Sequence, residues 1–315
     1  MSALKRRLLI RPGAIGDCLC WLPVLAAIGA THAEVWAPGP VLPLLELAPC
    51  RRNLSASGFS LLGISGMDAH QETISALRGF DEILSWSGWN QPELKAACQR
   101  LGLPITFFPA LPDPESTVPV SDWFLRQTER WHGLSEEPSA WRQERGRRFL
   151  LPLLGPSSHT DASRLVVLHP FSGSPAKNWP LAHYRALAAF LQDLPIPGLR
   201  VQWCAGPEDP LPPDLAAGAW RFESLADLAR ALDGAGLFVG NDSGVTHLAA
   251  MLGVPCMVFF GPMNPAVWKP RGALVRVVAG ERKGMPAAEI PFALGRGSLA
   301  SFLADLCWIS LDLAT

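Results

Sequence analysis

Three groups of residues have the types and spacing for chemistry. The most compact is Asn241-Asp242-Ser243-Gly244, with His247 four positions after Ser243. A polar turn feeding an apolar helix suits an anion, because the first backbone N–H groups, here those of Ser243 and Gly244, are unpaired and the helix dipole favours negative charge there. His247 lies one turn inside that helix, so its ring can reach the same end. The alternative is that Asp242 and Ser243 only cap the helix while His247 packs under a loop, and this stretch alone does not separate the two. The second group is the loop His169–Pro180, which carries Ser172, Gly173, Ser174 and Lys177. Two hydroxyls and an amide can bond phosphate oxygens, and lysine can neutralise charge as a point cation. The lysine does not follow a Walker glycine pattern, and taken by itself this loop reads as polar surface. The third group is Gly13, Gly16 and Asp17. Two glycines three apart allow a sharp turn and close backbone approach to a ligand. The spacing is not GxGxxG, so no dinucleotide site follows, and Asp17 at a helix entrance is most simply a cap.

The elements around these groups alternate. Leu237–Val239 is a short apolar run ending at Gly240; Val245, Leu248, Ala249 and Leu252 recur at i, i+3, i+4 and i+7; Cys256–Phe260 is a second apolar run closed by Gly261-Pro262. Strand, turn, helix and strand of this length form a βαβ unit, so both strand ends open on one carboxyl edge, where ligands of open α/β sheets bind. Upstream, strands are expected at Leu165–Leu168 and Val201–Cys204, helices at Leu181–Leu194 and Leu225–Leu232, then a strand at Val275–Ala279 and a helix at Ser298–Trp308. The amino-terminal half predicts strands at Arg7–Arg11, Ala33–Ala37, Glu82–Trp86 and Ile105–Phe108. Its helices run from Asp17 to about Ile28, near Val41–Leu47, and over Gln71–Arg78, Pro92–Leu101 and Asp122–Trp131. Pro23 should kink the first of them. Residues 48–70 show no readable period. From Ser135 to Ser163 charge clusters, prolines and a Ser/His/Thr/Asp run mark a linker. Its basic cluster Arg142, Arg145, Arg147 and Arg148 suits a solvated face, an anionic acceptor or an acidic membrane surface. Alternating strands and helices on each side of a linker predict an α/β protein of two lobes with a cleft.

Composition narrows the function. With 315 residues and 49% hydrophobic content the chain can fill two cores. A net charge of −1 with 17% charged residues argues against a dedicated nucleic-acid binder. Apolar runs are broken well before the roughly 20 residues that span a bilayer. Lys5-Arg6-Arg7 followed by Leu8-Leu9-Ile10 is too short for a signal peptide, so a cytoplasmic chain is expected. Seven cysteines without a CxxC pair read as reduced, buried thiols.

Taken in order, RPGAIGDCLCWLPVL, HPFSGSPAKNWP and GNDSGVTHLAAMLGVPCMVFFGP, followed by Trp268-Lys269-Pro270, resemble the ADP-heptose:lipopolysaccharide heptosyltransferase family, glycosyltransferase family 9. The likeness is strongest over residues 8–25 and 165–272 and loose over 48–160. It implies a GT-B fold: two Rossmann-like lobes with parallel sheets facing a central cleft. Residues 1–150 would bind the acceptor and 151–315 the nucleotide-sugar donor, with the last helix able to pack back on the first domain. The implied activity is inverting transfer of a sugar, heptose from ADP-heptose, to a lipopolysaccharide-core or related acceptor. No cofactor or metal would be required. Partners would be the nucleotide-sugar and a lipid-linked or core oligosaccharide, with peripheral contact at the inner membrane and no nucleic acid. By the resemblance Asp17 is the base, beside Gly13 and Gly16 on the acceptor side. Lys177, Ser172, Gly173, Ser174, Asp242, Ser243, Gly244 and His247 surround the donor, and Glu208 holds its ribose. Ser243 replaces the family's frequent threonine, and Glu223 within residues 220–225 offers no clear adenine contact. Rival readings are a GT-B enzyme using another nucleotide-sugar, a nucleotide-sugar epimerase, and a non-catalytic nucleotide-binding module.

Overall fold

The computed structural model describes residues 5–29, 33–64, 71–131, 164–272, 274–282 and 284–309. Backbone contacts divide the chain into two compact units, Met1–Ala140 and Trp141–Thr315. The expected linker, with its arginine cluster, lies outside the described residues.

In the first unit β1 (Arg7–Ile10) leads to α1 (Ile15–Ile28), β2 (Ala33–Ala37), β3 (Cys50–Asn53), α2 (Gln71–Arg78), β4 (Glu82–Ser85), α3 (Pro92–Arg100), β5 (Ile105–Phe107) and α4 (Val120–Gln127). The strands are parallel in the order β3-β2-β1-β4-β5. Leu8, Leu9 and Ile10 are buried because β1 is the central strand, covered on both faces. The strand order reverses between β1 and β4, which makes the carboxyl ends of these two strands the switch point of the sheet. Two expectations fail here. The helix expected over Val41–Leu47 is a 3-10 turn, Gly39–Leu44, because Pro40 and Pro43 remove amide donors. The unreadable stretch contains β3, whose four side chains are all exposed. An edge strand held by backbone pairing to β2 carries no apolar alternation to read.

The second unit runs β6 (Leu165–His169), α5 (Leu181–Gln192), β7 (Arg200–Trp203), α6 (Pro213–Ala216), α7 (Leu225–Leu232), β8 (Leu237–Asn241), α8 (Gly244–Met251), β9 (Cys256–Phe260), α9 (Pro265–Trp268), β10 (Val275–Ala279) and α10 (Phe292–Asp305). Its parallel sheet has the order β10-β9-β8-β6-β7, with its switch point between β6 and β8. Strand β8 runs through Gly240 to Asn241, two residues further than its apolar core suggests. Gly240 is needed there, since a Cβ would stand 2.7 Å from the Phe238 ring and 3.2 Å from the His169 carbonyl. Helix α10 begins six residues earlier than expected and places Leu299, Phe302 and Leu303 in the core of its own unit, with Val166 and Val278. Trp179 stacks on Phe259 at 3.9 Å and donates its indole N–H to the Ile290 carbonyl at 2.9 Å. That packing anchors the far end of the Lys177 loop.

Candidate active site

The donor-side candidates gather at the switch point of the second unit, on loops leaving β6 and β8. Lys177 Nζ lies 2.8 Å from Asp242 Oδ2, the lysine side chain 26% exposed and the carboxylate 5%. The ammonium sits off the hydrogen-bonding direction, so Oδ2 has a cation beside it but no aligned donor. His247 Nε2 stands 3.9 Å from the other oxygen, Oδ1. A lysine, a buried carboxylate and a histidine are thus brought together from the loop after β6, the turn after β8 and helix α8.

Asn241 makes this arrangement possible. Fully buried, it accepts from the Trp179 amide and the Tyr184 hydroxyl, both at 3.0 Å, and donates to the Pro170 carbonyl at 2.8 Å. The end of β8 is thereby tied to both ends of the Lys177 loop. Sequence reasoning took Asn241 only as a turn residue; an asparagine closing an apolar strand was the available signal. Ser172 is also spent within its loop, its hydroxyl lying 2.9 Å from the Ser174 carbonyl and 2.7 Å from Asn178 Oδ1. It shapes the loop and has no donor left over in this state. Gly173 is exposed and Ser174 half-buried, with no side-chain cap on the short turn that follows.

Ser243 is the N-cap of α8. Its hydroxyl accepts from the Thr246 amide at 3.3 Å, and the Thr246 hydroxyl reaches back to the Asn241 carbonyl. The His247 amide already bonds the Ser243 carbonyl at 3.1 Å. Gly244 and Val245 therefore hold the two first-turn amides with no protein acceptor among the described residues, and Val245 was not anticipated. Glu208 is exposed in the loop after β7. Arg221 organises that loop by donating to the carbonyls of Pro207 and Asp209 at 2.9 and 2.8 Å. His169, at the end of β6, is buried with Nε2 4.0 Å from Asp209. Burial pushes its imidazole down to about 4, against the opposing pull of Asp209.

The acceptor-side candidates occupy the switch point of the first unit. Asp17 is the third residue of α1, and its Oδ2 accepts from the Ala14 amide at 2.9 Å. It closes one half of a capping box, and Oδ1 has no protein donor among the described residues. Gly13 permits this fold-back: it has φ +113°, and a Cβ there would meet the Asp17 carboxylate at 2.8 Å. Gly16 lies one residue before Asp17, inside the first turn. Arg11, overlooked in the sequence, is 1% exposed. It donates to the Asp17 carbonyl at 3.0 Å and lies over the Phe124 ring at 4.5 Å, with Nη1 unpartnered. Burial lowers its pKa, partly offset by the charge environment of Cys18 and Asp17.

A family model for glycosyltransferase family 9 (heptosyltransferase) matches residues 142–295, a stretch that contains the Lys177 loop and the Asp242 turn. Over that stretch the chain is similar to glycosyltransferase family 9. Among curated relatives, lipopolysaccharide heptosyltransferase 1 of Escherichia coli K12 is 34% identical over 113 residues, 34% of this chain and 35% of its own length. The Pseudomonas aeruginosa protein of that name is 38% identical over 109 residues, 33% of this chain and 30% of its own. The matched segments thus span about a third of these relatives. Similarity of fold extends much further. The structure of E. coli heptosyltransferase WaaC with ADP superposes with a TM-score of 0.67 at 18% identity, covering 94% of this chain and 99% of that one. E. coli ADP-heptose LPS heptosyltransferase II gives 0.64 at 19% identity, covering 95% and 99%. These likenesses establish the GT-B fold for this chain. A more distant structure, the iron-containing heptosyltransferase TibC, gives 0.52 at 14% identity, covering 96% of this chain and 77% of that one. Among the described residues of this chain no group of three or more His, Cys, Asp or Glu is placed to hold a metal ion. No described helix is long and apolar enough to cross a membrane. Cys18, Cys20, Cys98, Cys204 and Cys256 are buried thiols outside any disulfide, whereas Cys50 and Cys307 are exposed, contrary to the expectation that all would be buried.

Proposed function

We propose that this chain is a family 9 inverting glycosyltransferase that moves heptose from ADP-heptose to a hydroxyl of a lipopolysaccharide-core or related surface glycan. The observation that carries the reading is the Lys177–Asp242 pair, set beside the unpaired amides of Gly244 and Val245 at the switch point of the second unit. The donor's diphosphate docks on those amides and on Gly173 and Ser174, with Lys177 beside the β-phosphate. Asp242 and His247 hold the ammonium and the sugar, and Glu208 meets the ribose. In the first unit Asp17 removes the proton of the acceptor hydroxyl through Oδ1, the oxygen not engaged by Ala14. The acceptor oxygen bonds the anomeric carbon from the face opposite the leaving group as the bond from that carbon to the phosphate oxygen breaks. The proton ends on Asp17 and the electron pair on the β-phosphate, where Lys177 and the amides meet the growing charge. ADP is expected to be the tightest ligand, which thermal shifts with ADP, UDP, GDP and CDP rank directly. A UDP or GDP preference would point to another nucleotide-sugar. Consumption of the sugar nucleotide without any acceptor would point to an epimerase.

A further inference from the structure

At the amino edge of the first unit's sheet, opposite the edge that carries Asp17, a cavity of about 490 Å³ lies beside β1, β4 and β5. Leu84, Pro104 and Thr106 line it from the strands, and Arg130 and Trp131 line it from the 3-10 turn Glu129–Trp131 that follows α4. Trp131 is pinned, its amide on the Thr128 carbonyl at 2.9 Å and its ring edge-on to Phe108 at 5.6 Å. The volume is that of a small-molecule site, for which roughly 300–1,000 Å³ is usual. The charges around it do not balance. Glu82 is the one carboxylate in the lining, and it serves two cations. Lys5 donates to its Oε1 at 2.9 Å, and Arg7 donates to its Oε2 through Nε and Nη2 at 3.0 and 2.8 Å. Arg130 adds a third cation. It stands 3.8 Å over the Trp131 ring and has no carboxylate partner among the described residues. The Thr106 hydroxyl, too, has no hydrogen-bond partner among them.

We infer that this cavity binds a small soluble phosphate monoester, with the phosphate between Arg7, Arg130 and Thr106 and its organic group against Leu84 and Trp131. Three cations against one carboxylate leave a surplus of two positive charges. A phosphate monoester carries about −1.5 to −2 at neutral pH, which matches that surplus. Across a shared cavity the cations repel one another, and an anion between them replaces that repulsion with attraction. Lys5 is 62% exposed and screened by water, so it contributes least. Arg7 is only 19% exposed, and its bond from Nη1 to the Ile28 carbonyl is long at 3.4 Å, which leaves that nitrogen for a ligand oxygen. A guanidinium fork suits phosphate geometry, and the Thr106 hydroxyl supplies a further donor. Leu84 and Trp131 offer apolar contact to the group the phosphate is attached to. The groups proposed for sugar transfer stand at the other edge of the sheet, so the inference does not depend on that reading.

Calorimetry with phenyl phosphate tests this, with phenyl sulfate, inorganic phosphate and phenol as comparison probes. Phenyl sulfate lacks the second charge and inorganic phosphate lacks the apolar group, so each should bind about tenfold more weakly than phenyl phosphate. Phenol should give no measurable heat. Arg130→Gln removes an exposed charge without disturbing the core, and it should weaken phenyl phosphate about tenfold. Thr106→Val keeps the shape of the side chain and should weaken it about threefold. Lys177→Met, in the second unit, should leave this binding as in wild type. Absence of phenyl phosphate binding by the wild-type protein would overturn the inference. So would binding that is lost in Lys177→Met and unchanged in Arg130→Gln, since the ester would then lie at the donor site. Vesicles containing phosphatidic acid present the same monoester on a lipid, and the protein should stay in solution when they are sedimented. Co-sedimentation that Arg130→Gln abolishes would make the ligand a lipid headgroup and overturn the soluble one. Failure of the donor reading is visible separately, as absence of ADP binding by the wild-type protein.

Discussion

Removing Lys177 has two consequences with different origins, and measuring both isolates its role. In Lys177→Met the aliphatic stem is kept and the charge is lost. Asp242 is then a carboxylate 5% exposed, left with the His247 imidazole at 3.9 Å. Breaking a fully buried pair costs about 3–5 kcal/mol. The ammonium here is a quarter exposed and screened by water, which brings the expected cost down to about 1–2 kcal/mol. For a unit of this size that lowers the melting temperature by a few degrees. The second consequence is for ligand. A charge-assisted contact to the β-phosphate contributes about 1.5–3 kcal/mol, so ADP affinity should fall roughly 10- to 150-fold. Calorimetry with ADP on the folded variant reads this directly, with thermal melts as the stability control. Loss of stability with ADP affinity held within about twofold of wild type would make Lys177 a structural partner of Asp242 alone and refute its place beside the phosphates.

Asp17→Asn keeps an oxygen for the Ala14 amide, so the melting temperature and ADP affinity should stay near wild type while transfer falls about 10²-fold or more; near-normal transfer would return Asp17 to a helix cap. Gly13→Ala forces a Cβ into the Asp17 carboxylate and strains a positive φ, so transfer should fall with ADP binding intact, and an unaffected rate would separate Gly13 from the base. Gly244→Val places a branched side chain at the start of α8, and ADP binding should be lost in a folded protein; normal binding would put the diphosphate elsewhere. His169 is held at about 4, below its ordinary 6.5, so the unfolded chain takes up this proton first as pH falls. Its contribution is full above pH 6.5 and shrinks by roughly 1.4 kcal/mol per pH unit on the way to 4. His169→Gln removes that slope, and superimposable acid-unfolding profiles for the two proteins would contradict it.

The second unit was legible because its buried strands announce themselves. Leu237–Val239 and Cys256–Phe260 are uninterrupted apolar runs, with turn chemistry between them and a helical period in α8. The Lys177–Asp242 meeting was accessible as two loops on one sheet edge, since a parallel sheet puts the ends of β6 and β8 side by side. What could not be read was how side chains spend their hydrogen bonds. Ser172 looks like a phosphate ligand in a loop rich in hydroxyls, yet its bonds go to Ser174 and Asn178. Asn241 looks like a turn residue, yet it clamps the neighbouring loop at Pro170 and Trp179 and bonds Tyr184 on α5. Arg11 reads as the polar end of a strand, and only the tertiary placement of α4 buries it against Phe124. Strand β3 escaped for the opposite reason, having no buried side chain to leave a period.

The strand orders also constrain how the protein comes into being on the ribosome. In the first unit the central strand β1 is made first, so its apolar faces wait for β2 and β4 before they are covered. In the second unit β6 lies between β7 and β8, and the sheet then grows outward through β9 to β10. The last piece of its core, Leu299, Phe302 and Leu303, arrives with α10, after every strand of that sheet has been made. Domains generally fold as units in the order they emerge. The unit bearing Asp17 therefore has time to fold before the other is synthesised, and the core that carries the Lys177 loop closes only once α10 has been made.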